Sequence, residues 1–175
     1  METSKSHGQL KEARPKISLQ ISAIDKILEI AGWLTLCVFW VLVILSYFKL
    51  PAIIPTHYNA GGEADAFGNK AFLFVLPGIS TMLFGVLTIL NRFPHLFNYP
   101  SPISFQNARQ QYSNATRLIR YQKFIIVAAF AYISFVSIQT AKGPNNGLSL
   151  FFLPLFLALV FIPLTIAIVK SLRMK

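Results

Sequence analysis

Acidic residues are missing from the last 110 positions of this 175-residue sequence. All six acids fall in the first 65 residues: Glu2, Glu12, Asp25, Glu29, Glu63 and Asp65. The sequence has a single cysteine, Cys37, which excludes an intrachain disulfide. Charged residues are also absent from the four longest apolar runs. Ion-coupled transport usually needs ionisable groups within such runs, so their absence argues against a transporter built from this chain alone.

The apolar runs themselves determine the class of the protein. Hydrophobic residues make up 54% of the sequence and charged residues only 13%. The runs are Ile30–Phe48, Ala71–Leu90, Phe124–Thr140 and Leu148–Val169. A bilayer core about 30 Å thick is crossed by about 17–25 helical residues, and backbone groups in lipid must pair within their own segment. The sequence therefore predicts an all-α membrane protein with four transmembrane helices.

Basic residues predict the orientation of these helices. The segments before the first run, between the second and third runs and after the fourth run carry 13 Lys or Arg; the two alternate segments carry three. Because basic loops stay in the cytoplasm, both termini are predicted to be cytoplasmic and the segment 50–70 to face outward. A pI near 10 arises here from bases that flank apolar runs rather than from a basic face, which argues against nucleic acid as a partner.

Two amphipathic helices are predicted at the membrane interface. Apolar residues recur at three- and four-residue steps from Ile17, and again after Ser104, a plausible helix N-cap. Four basic side chains near the second helix are expected to face lipid headgroups or solvent: Arg109, Arg117, Arg120 and Lys123. The predicted organisation is a mobile polar tail over 1–16, a two-span unit over 17–90, and a loop-helix with two further spans over 91–175.

The outward segment 50–70 contains the densest cluster of special residues. His57, Glu63 and Asp65 are candidate ligands for a divalent metal, with Asn59 as a weaker oxygen donor. Their spacing matches no metal motif with a known mechanism, and a compact loop held by turns and glycines is the competing interpretation. Nucleophilic catalysis needs a base beside a nucleophile, and no outward serine or cysteine is placed for that role. The sequence thus predicts a protein that is not an enzyme and has no required cofactor.

The same segment resembles the signature of a membrane family of bacteria, domain of unknown function 1648. This family also forms the N-terminal part of SdpI-like immunity proteins. Its pattern is Ile-Pro-x-His-Phe-Asn, then Gly-Glu-x-Asp, an aromatic or apolar residue, Gly, and a basic or polar residue. The matching residues are Ile54, Pro55, His57, Asn59, Gly62, Glu63, Asp65, Phe67, Gly68 and Lys70, and Tyr58 stands where phenylalanine is usual. The C-terminal signature of the SdpI-like proteins is not found in residues 91–175.

The resemblance implies a multi-pass protein of the bacterial cytoplasmic membrane. We expect an extracytoplasmic peptide or a membrane-protein partner to bind at the signature loop, with SdpI-like toxin immunity as the function. The residues expected to bind are Pro55, His57, Asn59, Gly62, Glu63, Asp65 and Gly68. Two alternatives stay open at this point, a metal site or metal-dependent activity in the loop and a scaffold role in a larger membrane complex.

Overall fold

The protein is described here by a computed structural model that covers residues 14–143 and 147–174. Most of the predicted N-terminal tail, residues 1–13, lies outside this part of the chain. The helices are α1 (Ala23–Tyr47), α2 (Val75–Leu90), α3 (Ala108–Lys142) and α4 (Phe152–Arg173). Strands β1 (Ile53–Tyr58) and β2 (Ala64–Asn69) lie between α1 and α2, and short 3-10 helices cover Lys70–Phe74 and Pro94–Leu96.

Four helical segments in the described part of the chain are long and apolar enough to cross a membrane. They are Ala23–Tyr47, Lys70–Leu90, Ala108–Lys142 and Phe152–Arg173, with mean hydropathy between 1.9 and 2.7. Each contains more than the approximately 20 residues that span a hydrocarbon core. The predicted four-span organisation is therefore confirmed, and the protein is a multi-pass, mainly helical membrane protein.

A small β-sheet makes the prediction of an all-α protein wrong in one respect. Strands β1 and β2 form an antiparallel hairpin in which Ile54 lies opposite Gly68 and His57 lies opposite Ala66. The pairing is irregular around His57, on both sides of that residue. Pro55 has no N–H to donate, and proline is tolerated in sheets at edges and irregularities of this kind. Because the segment is rich in proline and glycine, its sequence predicted an irregular loop rather than a pair of strands.

The two predicted amphipathic helices also differ from the expectation. Residues 17–22 are not helical, because α1 begins only at Ala23, where Ser22 and Asp25 form a reciprocal capping box. The second helix is not a separate element, since α3 runs for 35 residues without a break. Such a helix is about 52 Å long at 1.5 Å per residue. It exceeds a bilayer core of about 30 Å, so part of α3 extends beyond the hydrocarbon region.

Helix α3 is the centre of the bundle and packs against α1, α2, α4 and β1. The core lies mainly between α1, α2 and α3 and includes Phe39, Phe84 and Val127. Helices α1 and α2 approach closely because Gly32 has no side chain. A Cβ at that position would lie 2.7 Å from the Phe84 ring. Helix α4 packs mainly on α3, and most of its apolar residues are exposed. In a membrane these residues would contact lipid.

The bundle has two chemically distinct ends. The N-terminal part of α3 contacts both terminal segments, because Tyr112 donates to the Pro15 carbonyl (3.1 Å) and Gln111 donates to the Ser171 carbonyl (2.8 Å). We call this the basic end, because most described Lys and Arg residues lie in the segments that meet there. The hairpin packs beside the C-terminal part of α3, at the hairpin end.

Ion pairs join α1 to α3 near the basic end. The Arg117 Nε atom lies 3.0 Å from Asp25 Oδ1, and Arg120 Nε lies 3.6 Å from Glu29 Oε2. The Lys123 ammonium lies 2.6 Å from Glu29 Oε1 and donates to Thr88 Oγ1 of α2 at 2.8 Å. It also lies 4.1 Å from the centre of the Phe84 ring. We call these five charged residues the ion cluster.

The ion cluster changes the interpretation of the bases that were expected to face lipid. Lys123 does not reach a surface, because its side chain is only 1% exposed. Arg120 is 13% exposed and Arg117 is 38% exposed, and both are paired with α1 carboxylates. Of the four predicted headgroup-facing residues, Arg109 is the one that the structure leaves exposed. The prediction missed this because Asp25 and Glu29 lie more than 85 residues earlier in the chain.

A buried lysine side chain can keep its charge at low cost only while its carboxylate partner is present. Replacing Glu29 with Ala is expected to lower the free energy of unfolding by about 3 kcal/mol, the lower part of the range for broken buried pairs, because Glu29 is partly exposed. The double variant Glu29→Ala, Lys123→Met is expected to regain most of this loss, because methionine fills the space without a charge. Thermal unfolding in detergent measures both. If the double variant is no more stable than Glu29→Ala, the inference that Glu29 compensates the buried charge of Lys123 is wrong.

Cysteine labelling tests the predicted orientation of the two ends. In a Cys37→Ser background, Ala60→Cys places a thiol at the exposed tip of the hairpin, and Gln106→Cys places one at the basic end. Because basic segments stay in the cytoplasm, an impermeant maleimide added to intact cells is expected to label position 60 only. Permeabilised cells serve as the control in which both positions react. Labelling of position 106 alone in intact cells would show that the orientation is the opposite of the one predicted.

Candidate functional site

The tip of the hairpin is built from the polar residues of the predicted signature. The Asn59 and Glu63 backbones are joined by a hydrogen bond from Asn59 N–H to the Glu63 carbonyl (2.9 Å). Asn59 Oδ1 accepts from the Glu63 N–H (3.0 Å), while Asn59 Nδ2 donates to Glu63 Oε2 (3.1 Å). Asparagine side chains often stabilise turns through such backbone contacts. Asn59 and Glu63 are therefore explained by the turn itself.

Gly62 attaches the hairpin tip to the segment that leads into α4. Its φ is +88°, a conformation that L side chains rarely adopt, and its carbonyl accepts a 2.7 Å hydrogen bond from the Leu148 N–H. A Cβ at Gly62 would lie 2.0 Å from the Leu148 carbonyl oxygen. The position thus requires glycine both for its backbone conformation and for the close approach. This contact joins the two halves of the chain.

His57 and Asp65 form the one imidazole–carboxylate contact of the hairpin among the described residues. The His57 Nδ1 atom lies 2.6 Å from Asp65 Oδ1, and their side chains are 67% and 43% exposed. An aspartate that accepts from Nδ1–H leaves Nε2 as the free ring nitrogen. The pair lies on opposite strands, beside the irregular part of the sheet. The contact with Asp65 orients the imidazole ring at the exposed surface of the hairpin.

The predicted metal ligands are only partly brought together. His57 and Asp65 are in contact, but the Glu63 carboxylate is held by the Asn59 amide. Within residues 14–143 and 147–174, no group of three His, Cys, Asp or Glu side chains is placed to hold a metal ion. A histidine and a carboxylate suit zinc or manganese chemically, but this pair alone provides two protein ligands. The metal site stays a prediction.

The base of the hairpin is held by the remaining signature residues. Lys70 Nζ donates to the Tyr47 carbonyl (3.2 Å) and the Leu50 carbonyl (3.3 Å), and it lies 4.7 Å from the Tyr47 ring. These carbonyls lie at the last residue of α1 and three residues after it, where a cation is electrostatically favourable. Pro55 is buried, and a Cβ at Gly68 would lie 3.1 Å from Thr56 Cγ2. The signature therefore fixes the hairpin at its base and at its tip.

A cavity of about 510 Å³ lies between the hairpin and the neighbouring ends of the helices. We call it the hairpin cavity. Hairpin residues 54–60 line one side, including His57, Tyr58 and Asn59. The other sides are formed by residues of the 3-10 helix, α2, α3, α4 and the segment before α4: Phe72, Leu73, Val75, Leu76, Ile133, Ser134, Ser137, Leu148, Phe152 and Leu153. The expected binding residues His57 and Asn59 thus lie at its edge, and Pro55 also lines it.

Several residues of the hairpin cavity were not predicted from the sequence. Tyr58 donates from its hydroxyl to Ser137 Oγ at 3.1 Å, which ties β1 to α3. Ser134 and Ser137 lie one turn apart on α3 and therefore share a face. The sequence signal available was this spacing of two serines in an otherwise apolar run. Nothing local in the sequence indicates that a hairpin folds over these two serines.

Comparison with known proteins identifies the hairpin region. Residues 34–81 match the sequence profile of a family described as "Domain of unknown function (DUF1648)". The matched segment runs from the middle of α1 through both strands into α2, so it includes the whole hairpin. The expected resemblance to this family is confirmed. The comparisons do not support the expected relation to SdpI-like immunity proteins.

One curated relative comes from an archaeon. An uncharacterized protein of Archaeoglobus fulgidus is 32% identical over 76 residues, which cover 39% of this chain and 42% of the relative. The chain thus matches less than half the length of that relative. No solved structure matches the chain. The protein is a multi-pass helical membrane protein whose residues 34–81 match the family described as Domain of unknown function (DUF1648).

Proposed function

We propose that this protein binds the apolar part of an amphipathic peptide in the hairpin cavity, on the extracytoplasmic side of the membrane, without catalysing a reaction. The observation that carries the proposal is the cavity itself, with its volume of about 510 Å³. Ligand sites in proteins usually occupy about 300–1,000 Å³ and are mainly apolar with a few placed polar groups. The hairpin cavity has this size and this composition.

The exposed polar groups of the cavity lie on the hairpin, and much of its apolar lining comes from the helices. His57 and Asn59, on the hairpin, are exposed and polar. Leu73 and Leu76 line the cavity from the start of the second membrane span, and Ile133 lines it from α3. A peptide with one apolar and one polar face matches this separation, because its apolar side chains leave water while its backbone stays at the hairpin. Burial of one large apolar side chain contributes about 1.5–3 kcal/mol.

The position of the cavity in the bundle supports an external ligand. It lies at the hairpin end, opposite the basic end where Arg109 and Lys170 lie. Because basic segments stay in the cytoplasm, the hairpin end is the outward one in this proposal. A ligand arriving from outside, or from the outer leaflet, reaches the cavity without crossing the membrane. This is the face at which membrane-active peptides act on a cell.

In the described part of the chain the His57 imidazole makes no hydrogen bond to a serine of the cavity, which supports binding rather than catalysis. The His57 Nδ1 atom is engaged by Asp65, and the Ser137 hydroxyl accepts a hydrogen bond from Tyr58. A nucleophilic site needs the base directed at the nucleophile. Here each group instead fixes one side of the hairpin. Protection against a membrane-active toxin is the biological role we propose, because a protein that captures such a peptide lowers its free concentration in the membrane.

Filling the cavity is expected to abolish peptide capture. Leu76 lines the cavity from α2, so Leu76→Trp inserts a larger ring into it. Exclusion of one leucine-sized ligand side chain removes about 1.5–3 kcal/mol of binding free energy, or roughly ten- to a hundredfold in affinity. The measurement is the minimum inhibitory concentration of a panel of membrane-active peptides for cells that express the protein. Wild type is expected to raise it for at least one peptide, and Leu76→Trp to reverse this.

A matched variant on the same helix controls for expression and folding. Met82 is 62% exposed and does not line the cavity, so Met82→Trp adds the same ring on the outer face of α2. This variant is expected to protect cells as wild type does. Equal loss in Met82→Trp and Leu76→Trp would show that the cavity is not the binding site. A panel in which wild type protects against no peptide would reject the toxin-resistance role.

The contact at Gly62 provides a second test. Gly62→Ala forces a Cβ against the Leu148 carbonyl and places alanine at positive φ, which costs at least about 1–3 kcal/mol. The hairpin tip is expected to detach from the segment before α4 and to become sensitive to added protease. Gly85→Ala is the control, because a Cβ there meets no atom within 4 Å. Unchanged proteolysis in Gly62→Ala would show that this contact does not hold the hairpin tip against the segment before α4.

A further inference from the structure

A second cavity, at the basic end, has the opposite chemistry to the hairpin cavity. It has a volume of about 460 Å³ and lies between the N-terminal part of α3 and the C-terminal part of α4. Its charged lining residues are Arg109, Arg117 and Lys170, and its polar ones include Ser113 and Asn114. None of its lining residues is acidic. We call it the basic cavity, and a site lined in this way favours an anion.

Arg117 is held in place before any ligand arrives. Its Nε atom lies 3.0 Å from Asp25 Oδ1, and its Nη2 atom donates to Ser22 Oγ at 3.2 Å. The Asp25 carboxylate lies behind Arg117 and is shared with Arg120 at 3.8 Å. Arg109 and Lys170 have no carboxylate within 4 Å in the described part of the chain. The cavity therefore retains positive charge after its internal pairing is counted.

The two helices that form the cavity are joined by side-chain hydrogen bonds. Asn114 Nδ2 donates to the Ala167 carbonyl (2.8 Å), and Gln111 Nε2 donates to the carbonyls of Ser171 (2.8 Å) and Met174 (3.0 Å). These bonds occupy carbonyls at the end of α4, which otherwise repel an anion. Arg109 lies in the first turn of the long helix α3, where backbone N–H groups and the helix dipole favour negative charge.

An apolar groove adjoins the basic cavity. A neighbouring cavity of about 370 Å³ on α4 is lined by Thr165, Ile166, Val169, Lys170 and Arg173. Lys170 belongs to both cavities, so the cationic site continues directly into a surface that includes Ile166 and Val169. A ligand that combines a phosphate group with an aliphatic chain has both parts accommodated by this arrangement.

We propose that the basic cavity binds a phosphate-ester anion through Arg109, Arg117 and Lys170. Arginine provides several N–H donors in a planar array that suits phosphate oxygens, and lysine adds a compact positive charge. The phosphate ester has two sources, the headgroup of an anionic phospholipid or a soluble phosphate monoester. This site is separate from the hairpin cavity, at the other end of the bundle. The proposed site shares Arg109 and Arg117 with the lipid-facing bases expected from the sequence. It also includes Lys170, and it does not include Arg120 or Lys123.

Lipid binding by the full-length protein tests the proposal. The protein in detergent is titrated with phosphatidylglycerol or with phosphatidylcholine, and bound lipid is counted by native mass spectrometry. A third titration uses glycerol 3-phosphate, which carries the phosphate ester without chains. We expect phosphatidylglycerol to bind more tightly than phosphatidylcholine. The double variant Arg109→Gln, Lys170→Gln is expected to weaken that binding roughly tenfold or more, since each basic residue near an anionic lipid contributes about fivefold.

A double variant with the same loss of charge is the matched control. Lys26→Gln, Arg92→Gln removes two exposed bases at the same end but outside the basic cavity. Its affinity for phosphatidylglycerol is expected to stay within about twofold of wild type, which is less than the effect of losing one basic contact to the lipid. An equal loss in both double variants would overturn the proposal, because it would show general surface attraction. Equal binding of the two lipids, with no binding of glycerol 3-phosphate, would also overturn it.

The soluble probe separates the two sources of the anion. If phosphatidylglycerol binds and glycerol 3-phosphate does not, the site holds a lipid headgroup together with its chain. If glycerol 3-phosphate binds and the Arg109→Gln, Lys170→Gln variant loses it, the basic cavity is sufficient for a soluble phosphate ester. Both results support the site. Because the variants leave the hairpin cavity intact, peptide protection is expected to persist in them, which keeps this test independent of the proposed function.

Discussion

The pairing of Lys123 with Glu29 is the interaction on which the arrangement of α3 depends. A lysine that is 1% exposed cannot keep its charge without a carboxylate and further hydrogen-bond partners, because removing an ion from water costs several kcal/mol. Glu29 and Thr88 provide these partners from α1 and α2. The ion pair therefore fixes the rotation of α3. Ser134 lies 11 residues further on, about three turns, so it is held on nearly the same face as Lys123.

This rotation connects the two ends of the bundle. At one end it directs Arg117 toward Asp25. At the other end it places Ser137 where Tyr58 of the hairpin donates to it. The hairpin adds a contact of a different kind, the backbone hydrogen bond between Gly62 and Leu148. Charge thus orders the basic end, while backbone bonds and a glycine order the hairpin end. A bundle with uncharged apolar runs gains its specific geometry from these two regions.

The parts of this fold that could be predicted are those set by local sequence. Apolar runs of sufficient length predicted four spans, because lipid requires helices there. The β-hairpin was missed because its strands contain Pro55 and Gly68, which weaken a strand pattern. The contact between His57 and Asp65 depends on strand register, and that of Lys123 with Glu29 on helix packing. Neither contact has a signal in the sequence spacing. His57 was therefore grouped with Glu63 as well as with Asp65, and Lys123 with the lipid-facing bases.

The separation of charged and uncharged groups also limits what each cavity can select. The hairpin cavity has apolar residues such as Leu76 and Ile133 beside neutral hydroxyls, so a charged group that entered it would lose its hydration without compensation. The basic cavity has three cations and no acidic lining residue, so it disfavours cationic ligands. Under the proposed function, a cationic membrane-active peptide would enter the hairpin cavity by its apolar face and would be repelled at the basic cavity. Helix α3 lines both cavities, with Arg109 and Arg117 at the basic one and Ile133 at the hairpin one, so it contributes to the chemistry of each.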